Sequence, residues 1–278
     1  MPVVWRNVCT FAQIIGIMQQ ATEHISWYDR PWAALTFFTR LPFWRIYQPP
    51  RESYRAVVEY WPLAGWVTGG IMAATLYLAG MVLPHAVAVL LAMVVRLLVT
   101  GALHEDGLAD FLDGFGGGVD RERILAIMKD SHIGTYGVLG LVMYELLLGA
   151  TLFSLPSAVA ALAIMAADPY AKMLSSQLVS MMPYARTEQA AKAQTVYRQP
   201  SVAAGIGLSI QGLLPMGAFL WVAQVAEWYY IVFIPGVAMY FLYLLIWRRL
   251  HGYTGDCCGA VCLLVELITL LSIAFVCK

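Results

Sequence analysis

The stretch HEDGLADFLDGFGGG, His104 to Gly118, sets Glu105, Asp106, Asp110 and Asp113 in a chain that is otherwise mostly apolar. Asp106, Asp110 and Asp113 are spaced four and then three residues apart, so on a helix they share one face, one above the next. Three carboxylates on one face repel one another. Basic side chains or a divalent cation must compensate them, and such hard oxygen ligands suit Mg²⁺ or Mn²⁺ better than zinc. A solvated acidic face is the plain alternative, but the flanking residues are too apolar for a simple wet surface. Gly114, Gly116, Gly117 and Gly118 follow. They either bring backbone N–H groups close to a ligand or make a flexible loop. No GxxxxGK[ST] is present, and Val119 stands where GxGxxG needs its third glycine, which excludes a P-loop and a dinucleotide fold.

Working outward, the chain is 60% hydrophobic and 12% charged, with mean hydropathy +0.70. A soluble domain carries about 25% charge, so this is a polytopic membrane protein embedded in the lipid bilayer. Net charge is zero, and no nucleic-acid partner is expected. Cys9 stands alone, whereas Cys257, Cys258, Cys262 and Cys277 crowd the last segment without a disulfide or zinc spacing. They read as small packing residues.

Residues 1–31 read as an N-terminal extension, with Phe11, Ile14, Ile15 and Met18 at the spacing of an amphipathic helix lying on a membrane. Residues 32–278 read as one membrane-embedded domain. Its first part, up to Pro49 and Pro50, is aromatic, Arg-rich and broken by prolines, so it is no clean span. Apolar runs of about 20 residues predict an all-α bundle of seven spans, at roughly 57–82, 84–104, 133–154, 157–181, 201–223, 229–247 and 257–277. A short polar helix is expected at 121–131 and a polar loop at 182–200. Lys and Arg gather before the first span and between spans two and three, four and five, and six and seven. The connections near Leu83, Pro156 and Glu227 carry none. The positive-inside rule then places the N-terminus and the polar loops in the cytoplasm.

Within the spans, Asp168 and Lys172 form either an i,i+4 pair or, with Arg96, part of a site. Glu145 and Glu266 lie deeper and read as packing hydrogen bonds, with ion transport as the minor alternative. Gly65 and Gly69 form a small-xxx-small pair suited to helix packing.

The polar clusters converge on one side: Asp106, Asp110 and Asp113; Arg121, Arg123, Lys129, Asp130, Ser131 and His132; Tyr184, Arg186 and Glu188; His251 to Asp256; and Thr39 with Arg40. Carboxylates holding a divalent metal among Arg and Lys are what phosphoryl transfer needs, because metal and cations neutralise the transferring phosphate. Arg forks clamp phosphate oxygens, and a carboxylate or His orients the attacking hydroxyl. His104 and His132 taken singly are more often structural hydrogen-bonders.

HEDGLADFLDG at 104–114, IMKDSHIGTYG at 127–137 and YTGDCCGA at 253–260 resemble the cobalamin synthase (adenosylcobinamide-GDP ribazoletransferase) family. FFTRLPFW at 37–44 and PYAR at 183–186 fit the same family, and the likeness runs from about Trp32 to the C-terminus. It implies an Mg²⁺-dependent enzyme of the bacterial cytoplasmic (inner) membrane. Such an enzyme joins adenosylcobinamide-GDP to α-ribazole, or its 5′-phosphate, and releases GMP. By the same resemblance Asp106, Asp110 and Asp113 are expected to hold metal and, with His104 and Asp130, to be catalytic. Arg40, Lys129, Ser131, Arg186, Thr254 and Asp256 are expected to contact substrate. A homo-oligomer stays open. The competing phosphotransfer reading is a CDP-alcohol phosphotransferase, but its D-x-x-D-G-x-x-A-R opening is not reproduced, since no Arg follows Ala109. A cation transporter would rest on Glu145, Asp168 and Glu266.

Overall fold

A computed structural model describes residues 25–186 and 197–277. The amphipathic helix expected near the N-terminus lies mostly outside the described residues, as does 187–196 of the polar loop, Glu188 included. The described chain is all-α, with a lone β-bridge between Tyr184 and Tyr253.

The proline-broken approach folds as α1 (Asp29–Phe38), α2 (Phe43–Ile46) and a 3₁₀ stretch, Arg51–Tyr60. Long apolar runs then give α3 (Trp61–Gly80), α7 (Thr135–Phe153), α8 (Ser157–Met181), α9 (Val202–Ala223), α10 (Trp228–Leu250) and α11 (Gly255–Val276). These six are long and apolar enough to cross a membrane, and α8 and α11 are the most deeply buried of them. Their bounds match the expected spans to within a few residues. The small-residue pair on α3 explains why α3 and α8 lie so close. A Cβ on Gly65 would come within 2.9 Å of Pro169 Cα, and one on Gly69 within 3.3 Å of the Ile164 carbonyl.

The expected second span is corrected. It ends early, as α4 (His85–Thr100), whose 16 residues reach only about 24 Å. The acidic stretch forms a helix of its own, α5 (Leu103–Gly117), set at 90° to α4. The pair makes at most one further span. The bend consists of Gly101 at φ 66° and Ala102 at φ 55°, two consecutive left-handed residues. Arg40 closes over it: its backbone N–H donates to the Val99 carbonyl at 2.7 Å. Its side chain lies so near Gly101 that a Cβ there would stand 2.3 Å from Nε.

The glycines after Asp113 are also revised. They are mostly helical, and their bare backbone receives neighbouring side chains rather than a ligand. A Cβ on Gly114 would meet Met128, and one on Gly116 the Tyr136 ring. The short polar helix is α6 (Arg121–Lys129), capped by Asp120, which accepts from the Arg123 N–H at 2.8 Å.

The fully buried charges Arg96, Glu105, Asp168, Lys172 and Glu266 pair with one another. Arg96 on α4 donates to Glu266 of α11 at 2.7 Å and to the Tyr144 hydroxyl of α7 at 2.9 Å, and it pairs with Glu105 of α5 at 3.5 Å. Lys172 pairs with Asp168 one turn away on α8, and Asp168 also accepts from Thr68 of α3 at 2.8 Å. Cys257, Cys258 and Cys262 are buried free thiols, as their apolar setting implied.

The polar connections do gather at one end of the bundle. Arg121 donates to the carbonyls of Leu250 and Ala185, Arg186 to that of Leu125, and Arg249 to that of Gly118. The Ala185 N–H donates to the Tyr253 carbonyl at 2.8 Å. On the same side Glu59 accepts from Arg198 at 2.7 and 2.9 Å and faces Arg30 at 3.6 Å.

Candidate active site

The first turns of α5 and α11 touch through their glycines. A Cβ on Gly107 would lie 3.2 Å from Asp256 Cα, and one on Gly259 would lie 3.4 Å from His104 Cα. The approach is tight at Gly107, where an added Cβ would crowd the Asp256 backbone, and ordinary at Gly259. The contact sets Asp106 and Asp256 around one cavity of about 320 Å³. Two helix N-termini therefore meet at its wall, and each presents N–H groups and a positive dipole end suited to an anion. Arg186, from the segment after α8, lines the same cavity. Its Nη2 donates to the Leu125 carbonyl at 3.0 Å, which fixes the guanidinium. Thr254 caps α11, its hydroxyl accepting from the Cys257 N–H at 3.2 Å and lying 3.5 Å from Asp256 Oδ2. Asp106 is exposed, while Asp256 is buried. Tyr184 also lines the cavity, and burial pushes its phenol up to about 12, so it stays a proton donor at neutral pH.

The three aspartates of α5 share a stripe but have different surroundings. Asp106 opens to the cavity, and Asp110 is half-buried one turn on. Asp113 lies about 10 Å along the axis from Asp106 and is committed elsewhere. Its two oxygens accept from the N–H groups of Gly134 and Gly137 at 2.7 and 2.8 Å. It therefore caps the start of α7 from another helix, a charge-assisted arrangement that also suits the helix dipole. Side chains at 134 and 137 would collide with it, since a Cβ at either position would fall 2.5 or 2.4 Å from one of its oxygens.

Other expected site residues lie elsewhere. Lys129, the last residue of α6, and Asp130, Ser131 and His132 just after it are all exposed and do not line the cavity. Asp130 and His132 pair at 2.7 Å. The hydrogen bond from His132 holds the Asp130 carboxyl below its ordinary range, and the same bond raises His132 above 6.5. Arg40 braces the α4–α5 bend next to the cavity without lining it. His104 does line it, but as part of a wall that sequence reasoning did not anticipate. Phe38, Trp61 and His104 lie parallel to within 16°, with centroids 5.2 to 6.2 Å apart. The FF of FFTRLPFW was a visible signal. Trp61 was not, because it sits at the mouth of an apolar run where any span carries an aromatic.

Among the described residues, no group of three or more His, Cys, Asp or Glu is arranged to hold a metal ion by itself. A hard divalent cation of the Mg²⁺ type commonly takes only one or two carboxylates and completes its shell with water and substrate phosphates. The oxygens of Asp106 and Asp256 are that kind of donor set, with Asp110 next along the stripe.

A sequence profile of the family described as cobalamin-5-phosphate synthase matches residues 30–274. Similar curated proteins include adenosylcobinamide-GDP ribazoletransferase of Leptothrix cholodnii, 38% identical over 241 residues, which cover 84% of this chain and 90% of that protein. The protein so named in Shewanella frigidimarina is 34% identical over 243 residues, covering 82% and 87%. Its counterpart in Vibrio parahaemolyticus is 36% identical over 244 residues, covering 86% and 89%. No solved structure matches the chain.

Proposed function

The chain belongs to the cobalamin-5-phosphate synthase family, and from that premise we propose that it is an adenosylcobinamide-GDP ribazoletransferase. In this reading it moves adenosylcobinamide phosphate from the GDP derivative to α-ribazole or its 5′-phosphate, and GMP leaves. The observation that carries the reading is the meeting of Asp106 and Asp256 at two touching helix N-termini, beside Arg186, around one cavity.

A ribose hydroxyl oxygen forms the new bond to phosphorus, and the bond from that phosphorus to the GMP oxygen breaks. The hydroxyl proton passes to a cavity carboxylate and then to water. Asp106 and Asp256, with Asp110 in support, would hold Mg²⁺, which when bound neutralises charge on the diphosphate. Arg186 takes phosphate oxygens with the donors its Leu125 contact leaves over. The N–H groups opening α5 and α11 orient the same anion. Asp113 acts at one remove, by fixing α7 against α5, and Thr254 by capping the helix that carries Asp256. The pairing of Glu266 with Arg96 and of Asp168 with Lys172 favours this reading over ion transport.

The charge asymmetry of the loops supports a cytoplasmic-facing site in a bacterial inner membrane. Labelling a cysteine introduced at the exposed Lys129 in intact cells should fail until the membrane is permeabilised. Ready labelling from outside would reverse the orientation. The reaction itself is tested by incubating lipid-reconstituted protein with adenosylcobinamide-GDP, α-ribazole and Mg²⁺, with a CDP-linked lipid in parallel. A cobalamin product with GMP release, abolished by a chelator, is expected. Turnover of the CDP-lipid alone, or of neither donor, would refute it.

A further inference from the structure

The cavity has two unlike halves. Asp106, Asp256 and Arg186 make one. Phe37, Phe38, Val58, Trp61 and Tyr197 make the other. Resting on the ribazoletransferase reading, we propose that the aromatic half seats the benzimidazole-type base of the smaller substrate, α-ribazole, rather than the guanine of the larger one.

Size speaks first. A volume of about 320 Å³ stands at the low end of the roughly 300–1,000 Å³ of ligand cavities. It holds a nucleoside, whereas a corrin macrocycle carrying GDP must extend outside. Shape speaks second. The rings of Phe38, Trp61 and His104 stack on one another, and the surface this cluster turns to the cavity is an apolar wall against which a planar bicyclic ring can pack. Polarity decides between the two bases. Guanine presents two donors and an acceptor on one edge, and its recognition needs a carboxylate, an amide or backbone groups. The aromatic half offers neither carboxylate nor amide. A benzimidazole nucleoside is apolar except for one ring-nitrogen acceptor. Two buried nitrogens of the wall have no partner among the described residues, Nε2 of His104 and the indole N–H of Trp61, 2% exposed; the indole N–H is always a donor, whereas the imidazole nitrogen is one only in one tautomer. An unpartnered buried N–H is costly, and the ring nitrogen of the base would satisfy that of Trp61. With the base seated there, the ribose points towards Asp106 and Asp256, where the phosphate must be.

The test separates the two substrates. In lipid nanodiscs, KM for each is measured with the other saturating, for wild type, Trp61→Phe and Phe38→Leu. Trp61→Phe keeps the ring and removes the N–H. It should raise KM for α-ribazole about tenfold, the loss of one buried hydrogen bond, with KM for adenosylcobinamide-GDP unmoved. Phe38→Leu should act in the same direction. Equilibrium binding of α-ribazole alone should weaken by the same factor, and GMP should not compete for it. The subsite is overturned if either variant raises KM for adenosylcobinamide-GDP instead, if neither moves KM for α-ribazole, or if GMP displaces α-ribazole from wild type. Should wild type release no GMP at all, the ribazoletransferase reading fails by itself. The binding measurement then decides the subsite: tenfold weaker binding in Trp61→Phe upholds it, and no binding to wild type refutes it.

Discussion

Glu105 and Asp106 are neighbours on one helix with opposite surroundings. Successive helical residues point about 100° apart, so one turns into the bundle and the other into the cavity. Glu105 is buried and meets Arg96, which also holds Glu266 and Tyr144. Asp106 faces the cavity, and among the described residues no basic side chain pairs with it. The first carboxylate is neutralised by the protein and fixes where α5 sits. The second is left for a cation that arrives with substrate. Acidity in this chain therefore has two uses, and the presence or absence of an internal partner separates them.

The largest effect is expected on the buried side. Arg96→Met leaves Glu105 and Glu266 without their cation and should cost about 3–5 kcal/mol, as removal of one partner of a buried pair does. Chemical unfolding in detergent would show it, and adding Glu266→Leu should recover a large part. Unchanged stability would mean the network holds nothing in place. On the cavity side, Asp256→Asn should lower GMP release on the order of 100-fold or more, since several kcal/mol of charge stabilisation go with the metal. Its melting temperature should stay near that of wild type. Loss of folding in step with activity would move Asp256 into the structural class.

Between the two halves lies the bend. Gly101→Ala puts a side chain at φ 66° against Arg40 and should destabilise by roughly 1–2 kcal/mol or more. Because the bend aims α5 into the cavity, kcat should fall as well. The smallest effect belongs to the exposed Asp130–His132 pair. His132 is raised above 6.5 by its bond to Asp130. Its contribution is therefore fully present below about 6.5 and is lost as pH rises through the higher folded value. Asp130 is lowered, so its contribution is present above the usual carboxylate range and is lost only in acid. An NMR titration should place His132 above 6.5, and Asp130→Asn should bring it back. An unshifted His132 in wild type would remove the pair.

Several of these features were readable in the sequence. Apolar runs located the six long helices, because bilayer thickness sets their length. The i,i+4 spacing of Asp168 and Lys172 announced their pairing, and Gly65 and Gly69 announced a close helix crossing. What stayed hidden depends on contacts remote in the chain. Arg96 and Glu266 are 170 residues apart. The donors to Asp113 are backbone N–H groups more than twenty residues away, and backbone groups leave no trace in a residue pattern. Ala102 at φ 55° carries no local signal, since alanine is an ordinary helix former, so the turn from α4 into α5 read as one continuous span. The shared periodicity of Asp106, Asp110 and Asp113 was genuine, but spacing on a helix does not say what stands opposite each residue.

The most direct measurement compares Asp106→Asn with Asp113→Asn in the same liposomes. GMP release from adenosylcobinamide-GDP is followed with α-ribazole and Mg²⁺ saturating, normalised to folded protein. Asp106→Asn should fold like wild type and release no measurable GMP. Asp113→Asn should lose about 1–2 kcal/mol of stability, from one weakened capping bond, yet keep most of its activity per folded molecule. Full activity in Asp106→Asn, or an Asp113→Asn protein that is equally stable and equally dead, would contradict this division of the acidic helix.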